Sequence, residues 1–163
     1  MLLKFKHNLD EFTSVVSEFV KEIRRALELQ VFDRVGFRII YFLETKTWED
    51  ANALLMETQL VKIPSQPCFS FAARAVSVEP IMLFTGDEVA ARVRIASRKR
   101  RIDFDPPPEL NIESIHRDSF GVLFDIDYYT VVRVGVSQME FTEWIHTVHR
   151  HIRRDATKFL ERS

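Results

Sequence analysis

Two aspartates, Asp125 and Asp127, stand two positions apart in the stretch GVLFDIDYYTVVRVGV, which has the β-branched and aromatic residues typical of a long strand. At strand spacing both carboxylates project from one face, roughly 7 Å apart. Such a pair could act as general acid and base, or could bind magnesium. Metal-dependent nucleotidyl transfer would also require a glycine-serine turn before a helix and a third carboxylate, and the sequence has no such turn.

A structural role explains the same two aspartates more simply, and we favour it. Alternation predicts that the opposite face of the strand is buried, and that face consists of Val122, Phe124, Ile126 and Tyr128. The carboxylates then face solvent or pair with an arginine of a neighbouring strand. Because Arg38 lies on the more polar face of another long strand, we predict a cross-strand ion pair between Arg38 and Asp125 or Asp127. We assign no catalytic residue, and these three remain candidates for contact with a ligand or partner.

A basic run forms the second constellation of charged residues. If its strand persists through residue 100, alternation places four arginines on one side, namely Arg92, Arg94, Arg98 and Arg100. They could bind phosphate or nucleic acid, or they could block edge-to-edge aggregation of a sheet. Since the formal net charge of the chain is −1, no overall basic excess supports a nucleic-acid partner.

Three histidines and one cysteine are the remaining candidates for metal binding. His146 and His149 have helical i, i+3 spacing and His151 follows, but no acidic residue completes a zincin-like motif, and neighbouring arginines would repel a cation. Cys68 is the one cysteine, which excludes an internal disulfide and predicts a buried, inert thiol. We therefore expect no metal site and no cofactor.

The elements that must position these residues can be read from periodicity. Asn8 caps a helix whose apolar positions are Phe12, Val15, Val16, Phe19, Val20, Ile23 and Leu27. A strand is predicted over 34–44, a short helix from Trp48 to Glu57, and a hairpin of strands 81–84 and 89–97 about Gly86, which can supply a positive φ.

The elements of the second half of the chain are predicted from the same kinds of pattern. Residues 109–118 are predicted as a polar loop before the strand 121–136. Ser137 then opens a capping box for a last helix of roughly 22 residues with one apolar stripe. Together these elements favour a single α+β domain over residues 1–163, in which a mainly antiparallel, twisted sheet carries the first and last amphipathic helices on one face.

Composition limits the class of protein. The chain has 163 residues with 46% hydrophobic and 29% charged residues, which suits one globular domain with a core. No apolar run approaches the roughly 20 residues of a membrane span, and the first 12 residues lack the apolar block of a signal peptide. We expect a cytoplasmic protein without a membrane partner.

Several of these segments together resemble a known family. The helix EFVKEIRRALEL, the strands DRVGFRIIYFLE and VLFDIDYY, and a long last helix containing histidine are similar to an uncharacterised, sporadically distributed bacterial family, TIGR04255. Its first strand motif falls on Arg34, Gly36 and Arg38, with Ile39 where the family tends to have tyrosine, and its late motif falls on Asp125 and Asp127. Members are commonly longer, so the resemblance covers the later part of their domain. It implies a fold and no catalytic residues.

Three functions remain open on this basis. The leading expectation is a non-enzymatic binding or assembly module that contacts a protein partner or a second copy of itself. The first alternative is a helix-grip-like domain that holds an apolar small molecule between the sheet and the last helix. The second alternative is phosphate or nucleic-acid binding through the run from Arg92 to Arg100.

Overall fold

The computed structural model describes residues 8–58, 60, 77–105 and 113–161, with the side chains of residues 102, 115 and 159–161 left out of the description. The regular elements, in chain order, are α1 (Leu9–Leu27), β1 (Val31–Phe32), β2 (Gly36–Thr45), α2 (Trp48–Glu57), β3 (Ile81–Thr85), β4 (Val89–Phe104), β5 (Ile115–Thr130), β6 (Val134–Gly135), a 3-10 turn (Val136–Gln138) and α3 (Phe141–Glu161). None of the helices among these residues combines the length and apolar character of a membrane span.

Four of the strands form one sheet in the order β2-β5-β4-β3, and β1 pairs with β6 in a second, two-stranded sheet. The short sheet is antiparallel, with Val31 opposite Gly135 and Phe32 opposite Val134. The predicted α+β fold, with antiparallel sheets and with helices at both ends of the chain, is confirmed. β5 therefore lies between β2 and β4, and its residues can contact side chains from both neighbours.

Two compact units divide the chain. The first contains Met1–Ile39, Met82–Val93 and Asp125–Arg162, and the second contains Ile40–Ile81 and Arg94–Phe124 with Ser163. In the first unit the buried apolar residues include Val35, which directly precedes β2, and residues of β2, β4, β5 and α3, namely Phe37, Ile39, Val93, Ile126, Ile145, Val148, Ile152 and Ala156. In the second they include Tyr41, Ala51, Leu55, Ile95, Ala96, Val122 and Phe124. The single domain stays a prediction.

The helix starts agree with their capping residues in two cases. The side-chain oxygen of Asn8 accepts a hydrogen bond from the Asp10 backbone N–H at 3.0 Å, and α1 follows. The hydroxyl of Thr47 accepts one from Asp50 N–H at 3.1 Å, and α2 follows. The third prediction is wrong, because Ser137 lies in the 3-10 turn and α3 begins at Phe141. Capping chemistry alone did not distinguish one turn of 3-10 helix from the helix proper.

The predicted strand 121–136 is displaced in the structure. β5 begins at Ile115, so part of the expected polar loop is strand, and it ends at Thr130. There the Thr130 N–H donates to the Val35 carbonyl at 2.9 Å, and the Thr130 hydroxyl accepts from the Val35 N–H at 3.0 Å. Val131 and Val132 have strand-forming side chains, but the chain bends after Thr130 in order to pair β6 with β1.

Two details of the predicted hairpin also differ. Gly86 donates to the Val89 carbonyl at 2.8 Å but does not adopt a positive φ. Simple alternation from Val89 along this strand would place Ala90 and Ala96 outward, but both are buried. Since Ile95, Ala96 and Ser97 are consecutive and all buried, this part of β4 is covered on both faces.

Glycine is required at one position of β5. A Cβ atom at Gly121 would overlap the backbone carbonyl of Leu43 and would lie 2.9 Å from a ring carbon of Phe42. We expect Gly121→Ala to lower the free energy of unfolding by about 2 kcal/mol or more, because backbone cannot yield as a flexible side chain can. Urea denaturation measures the loss.

The matched control is Gly36→Ala on β2. A Cβ there would meet its nearest atoms at 3.4 and 3.5 Å, which are ordinary contacts. We expect this variant to change the free energy of unfolding by less than about 1 kcal/mol. Equal losses for the two variants would contradict the packing argument.

Candidate functional site

An arginine and an aspartate pair bidentately across β2 and β5. The Arg38 Nε donates to Asp125 Oδ1 at 2.7 Å, and its Nη2 donates to Oδ2 at 2.6 Å. The Asp125 side chain is only 4% exposed, whereas that of Arg38 is 55% exposed. The hydrogen bonds to Asp125, followed by its charge, raise the pKa of Arg38. The predicted cross-strand ion pair is confirmed, and Asp125 is its acidic member.

Asp127 has a different arginine. The Arg34 Nη2 donates to Asp127 Oδ2 at 2.6 Å, and the Arg34 guanidinium stacks over the Tyr129 ring, 3.8 Å from its centre. Both aspartates are therefore engaged by guanidinium groups. Within the residues described, no three histidine, cysteine, aspartate or glutamate side chains approach closely enough to hold a metal ion. The arrangement offers strand pairing and charge neutralisation rather than acid-base chemistry.

Glu79 neutralises part of the predicted basic run. It accepts hydrogen bonds from Arg94 Nε and from Arg98 Nη2, the latter at 2.9 Å. The bond from Arg98 and then that from Arg94 lower the pKa of Glu79. Sequence reasoning missed this carboxylate, because Pro80 separates it from β3 and its spacing to the arginines carries no periodic signal.

The other members of the run have separate surroundings. The Arg100 guanidinium lies 5.6 Å from the centre of the Phe42 ring. Lys99 pairs with Asp118 at 2.7 Å, Arg101 pairs with Asp103 at 2.7 Å, and Arg92 is exposed. Two of the four predicted arginines, Arg94 and Arg98, are thus neutralised by one carboxylate. Nucleic-acid binding by this run stays a prediction that these contacts do not favour.

The histidines of α3 are spread over different surroundings. His146 lies 3.5 Å from Asp10 of α1, His149 is buried, and the His151 ring packs against Tyr128 with centres 6.4 Å apart. Burial, followed by the charges of Arg153 and His146, lowers the pKa of His149. Cys68, predicted to be an inert thiol, lies outside the described residues.

An apolar surface on α1 is the first feature that periodicity did not anticipate. Four large side chains of this helix are strongly exposed: Phe12 at 44%, Val15 at 62%, Phe19 at 64% and Leu27 at 66%. The sequence pattern identified all four as the inward face. We call them the α1 stripe. Its exposure departs from the usual burial of an amphipathic helix on its core.

A cavity of about 460 Å3 is the second such feature. It is lined by the β3–β4 hairpin, β5 and α3, which is the position that the small-molecule alternative required. Gly86, Ala90, Ala91 and Ala156 contribute to its walls, and their small side chains leave the space unfilled. The sequence signal would have been this set of small residues, but their proximity depends on the fold.

The exposure difference between Arg38 and Asp125 predicts unequal losses of stability. Arg38→Met leaves a buried carboxylate without its guanidinium, and we expect a cost of about 3 kcal/mol. Asp125→Asn leaves the half-exposed Arg38 in contact with water, and we expect a smaller cost. Guanidinium chloride denaturation of both variants measures the difference. An Asp125→Asn loss as large as that of Arg38→Met would contradict the assignment of Asp125 as the desolvated partner.

The lowered pKa of His149 predicts a pH dependence of stability. Because its folded pKa is depressed, the unfolded chain binds a proton more readily below the ordinary pKa of about 6.5. The free energy of unfolding should therefore fall as pH decreases from 7.5 to 5.5, and less steeply in His149→Gln. Urea titrations across this range measure the slope. His116→Gln, at an exposed position of β5, is the control and should not remove the His149 contribution.

Comparison of the chain with protein-family models, with curated proteins and with solved structures gives no match. The resemblance drawn from the strand motifs accordingly stays a prediction, and the candidate sites are interpreted from their geometry.

Proposed function

We propose that this chain is an assembly module that pairs with a second copy of itself through the α1 stripe. The observation that carries the proposal is the exposure of Phe12, Val15 and Phe19, which lie on one side of the helix at i, i+3 and i+7. Large contiguous apolar patches are uncommon on monomers and mark interaction surfaces.

The contact of α1 with α3 explains why the stripe is exposed. Thr13 is buried, and the Ser17 hydroxyl lies 3.0 Å from the Thr142 hydroxyl of α3. These small polar residues face α3. Phe19 follows Thr13 by six residues, which places it roughly 120° around the helix. α1 therefore meets α3 through a side of the helix that adjoins its apolar face. The Phe12 ring, at one end of the stripe, contacts the Phe37 ring of β2 with centres 5.9 Å apart, and Val15 and Phe19 remain available.

Burial of the stripe would supply the driving force for association. Full burial of one valine, leucine or phenylalanine side chain is worth about 1.5–3 kcal/mol. The helix has 19 residues and is therefore about 28 Å long. A single helical face of this length buries less than the roughly 800 Å2 per partner of a standard interface. We accordingly expect a reversible dimer whose population depends on concentration.

Charge along α1 favours a second copy in antiparallel orientation. The first turn contains Asp10 and Glu11, and the last turn contains Arg24 and Arg25. In an antiparallel pair, the acidic end of each helix lies beside the basic end of the other. The helix dipoles are then also opposed, which is their favourable arrangement. A partner with the same stripe and the same charges is thus complementary to this surface.

We expect Phe19→Glu to abolish dimerisation, since a carboxylate at the centre of the stripe would be desolvated without a partner. Multi-angle light scattering and sedimentation equilibrium over about 1–200 μM should show a monomer–dimer equilibrium for the natural sequence. The same measurements should show a monomer for the variant. Circular dichroism establishes that the variant is folded.

Ser14→Glu is the matched control, because it adds the same charge at an exposed position of α1 outside the stripe. It should leave the equilibrium unchanged. Orientation is tested by charge exchange: Glu11→Arg should weaken the dimer, and Glu11→Arg with Arg25→Glu should restore it. A natural sequence that stays monomeric at 200 μM, or a Phe19→Glu variant that dimerises equally well, would overturn the proposal.

A further inference from the structure

The cavity beside α3 supports a function beyond assembly. We propose that it binds a medium-chain carboxylate, with the alkyl chain inside the cavity and the carboxylate beside Lys158. The volume of the cavity, about 460 Å3, lies within the range of roughly 300–1,000 Å3 that is common for small-molecule sites. The α1 stripe contributes no residue to its lining, so binding and assembly can be tested separately.

Apolar side chains form the inner walls of the cavity. Val93, Ile126 and Ile152 line it and are buried, and Phe84 and Val89 line it from the β3–β4 hairpin. An alkyl chain in contact with these residues leaves water for an apolar surface, which is favourable by about 25 cal/mol per Å2. These walls therefore favour an apolar body for the ligand.

The charged residues of the lining determine which headgroup fits. Asp155 and Lys158 both lie on α3 and both line the cavity. Arg154 donates to the two carboxylate oxygens of Asp155 at 2.8 and 3.1 Å. Lys158 Nζ lies 4.0 Å from Asp155, at the limit of an ion pair. Arg154 and Asp155 thus compensate each other, and the ammonium of Lys158 supplies one further positive charge.

Tyr128 adds a hydrogen-bond donor to the same lining. Burial, followed by the charge of Asp155, raises the pKa of this phenol, so its hydroxyl stays protonated at neutral pH. A carboxylate accepts hydrogen bonds from both an ammonium and a hydroxyl group. A cationic headgroup would instead meet Lys158 and a carboxylate already bound by Arg154. The geometry therefore favours a monoanionic amphiphile over a cationic or a purely apolar ligand.

Isothermal titration of the full chain with sodium decanoate tests the proposal, with 1-decanol and decyltrimethylammonium as the neutral and cationic probes. We expect saturable decanoate binding that is tighter than binding of either probe. Lys158→Gln should weaken decanoate binding about three- to fivefold, the effect of one partly exposed charge pair, and should leave decanol binding unchanged. Arg153→Gln removes the same charge from an exposed position of α3 outside the lining and should have no effect.

A second pair of variants tests the location. Ala91→Phe places a ring at the cavity wall and should abolish decanoate binding in a chain that circular dichroism shows to be folded. Arg92→Phe, at the next and exposed position of β4, should bind decanoate normally. The proposal is overturned if the natural sequence shows no saturable decanoate binding. That result would follow if another segment or a second copy of the chain filled the cavity. Equal binding of the three probes, or normal binding by Ala91→Phe, would also overturn it.

Discussion

The ion pair of Arg38 and Asp125 is the interaction on which the positions of the central strands depend. A carboxylate that is almost fully buried in an interior strand is costly to desolvate, and its guanidinium partner offsets that cost. Arg34 and Asp127 repeat the pairing between the same two segments. A slip of one residue between β2 and β5 would turn the charged side chains of the strand that slips to the opposite face, and so would break both pairs. The two ion pairs thus specify the register that the apolar face also requires.

The sequence predicts this arrangement well because strand periodicity is simple. Alternation places Arg38 on the more polar face of β2 and both aspartates on one face of β5, so Arg38 could be identified as a partner from the sequence alone. Periodicity does not decide which of the two aspartates pairs with Arg38. That choice depends on which residue of β2 lies opposite which residue of β5, and the paired hydrogen bonds of Val35 and Thr130 set that register. No local pattern encodes a contact between residues that are 95 positions apart.

Other features escaped prediction because they depend on packing between elements. The periodicity of α1 identifies an apolar face but not the neighbour that covers it, and the hydrogen bond between α1 and α3 joins Ser17 to Thr142, away from the apolar positions. The cavity lies where two alanines of β4 meet one alanine of α3, and none of the three alanines stands out within its own segment. Strand ends were also displaced, since Val131 and Val132 have strand propensity but lie beyond the end of β5 at Thr130.

The contact between α1 and α3 has a consequence for how order is distributed in the chain. The hydrogen bond between the Ser17 and Thr142 hydroxyls removes little apolar area from water, so it contributes little hydrophobic free energy to the attachment of α1. That attachment depends more on the contact of the Phe12 ring with the buried Phe37 ring and on the half-buried side chains of Val16, Val20 and Ile23. A species that covers the α1 stripe binds the chain only while α1 is folded and in place, so its binding free energy adds to the stability of this helix. The folding of α1 and the binding of another molecule to the α1 stripe are therefore thermodynamically linked.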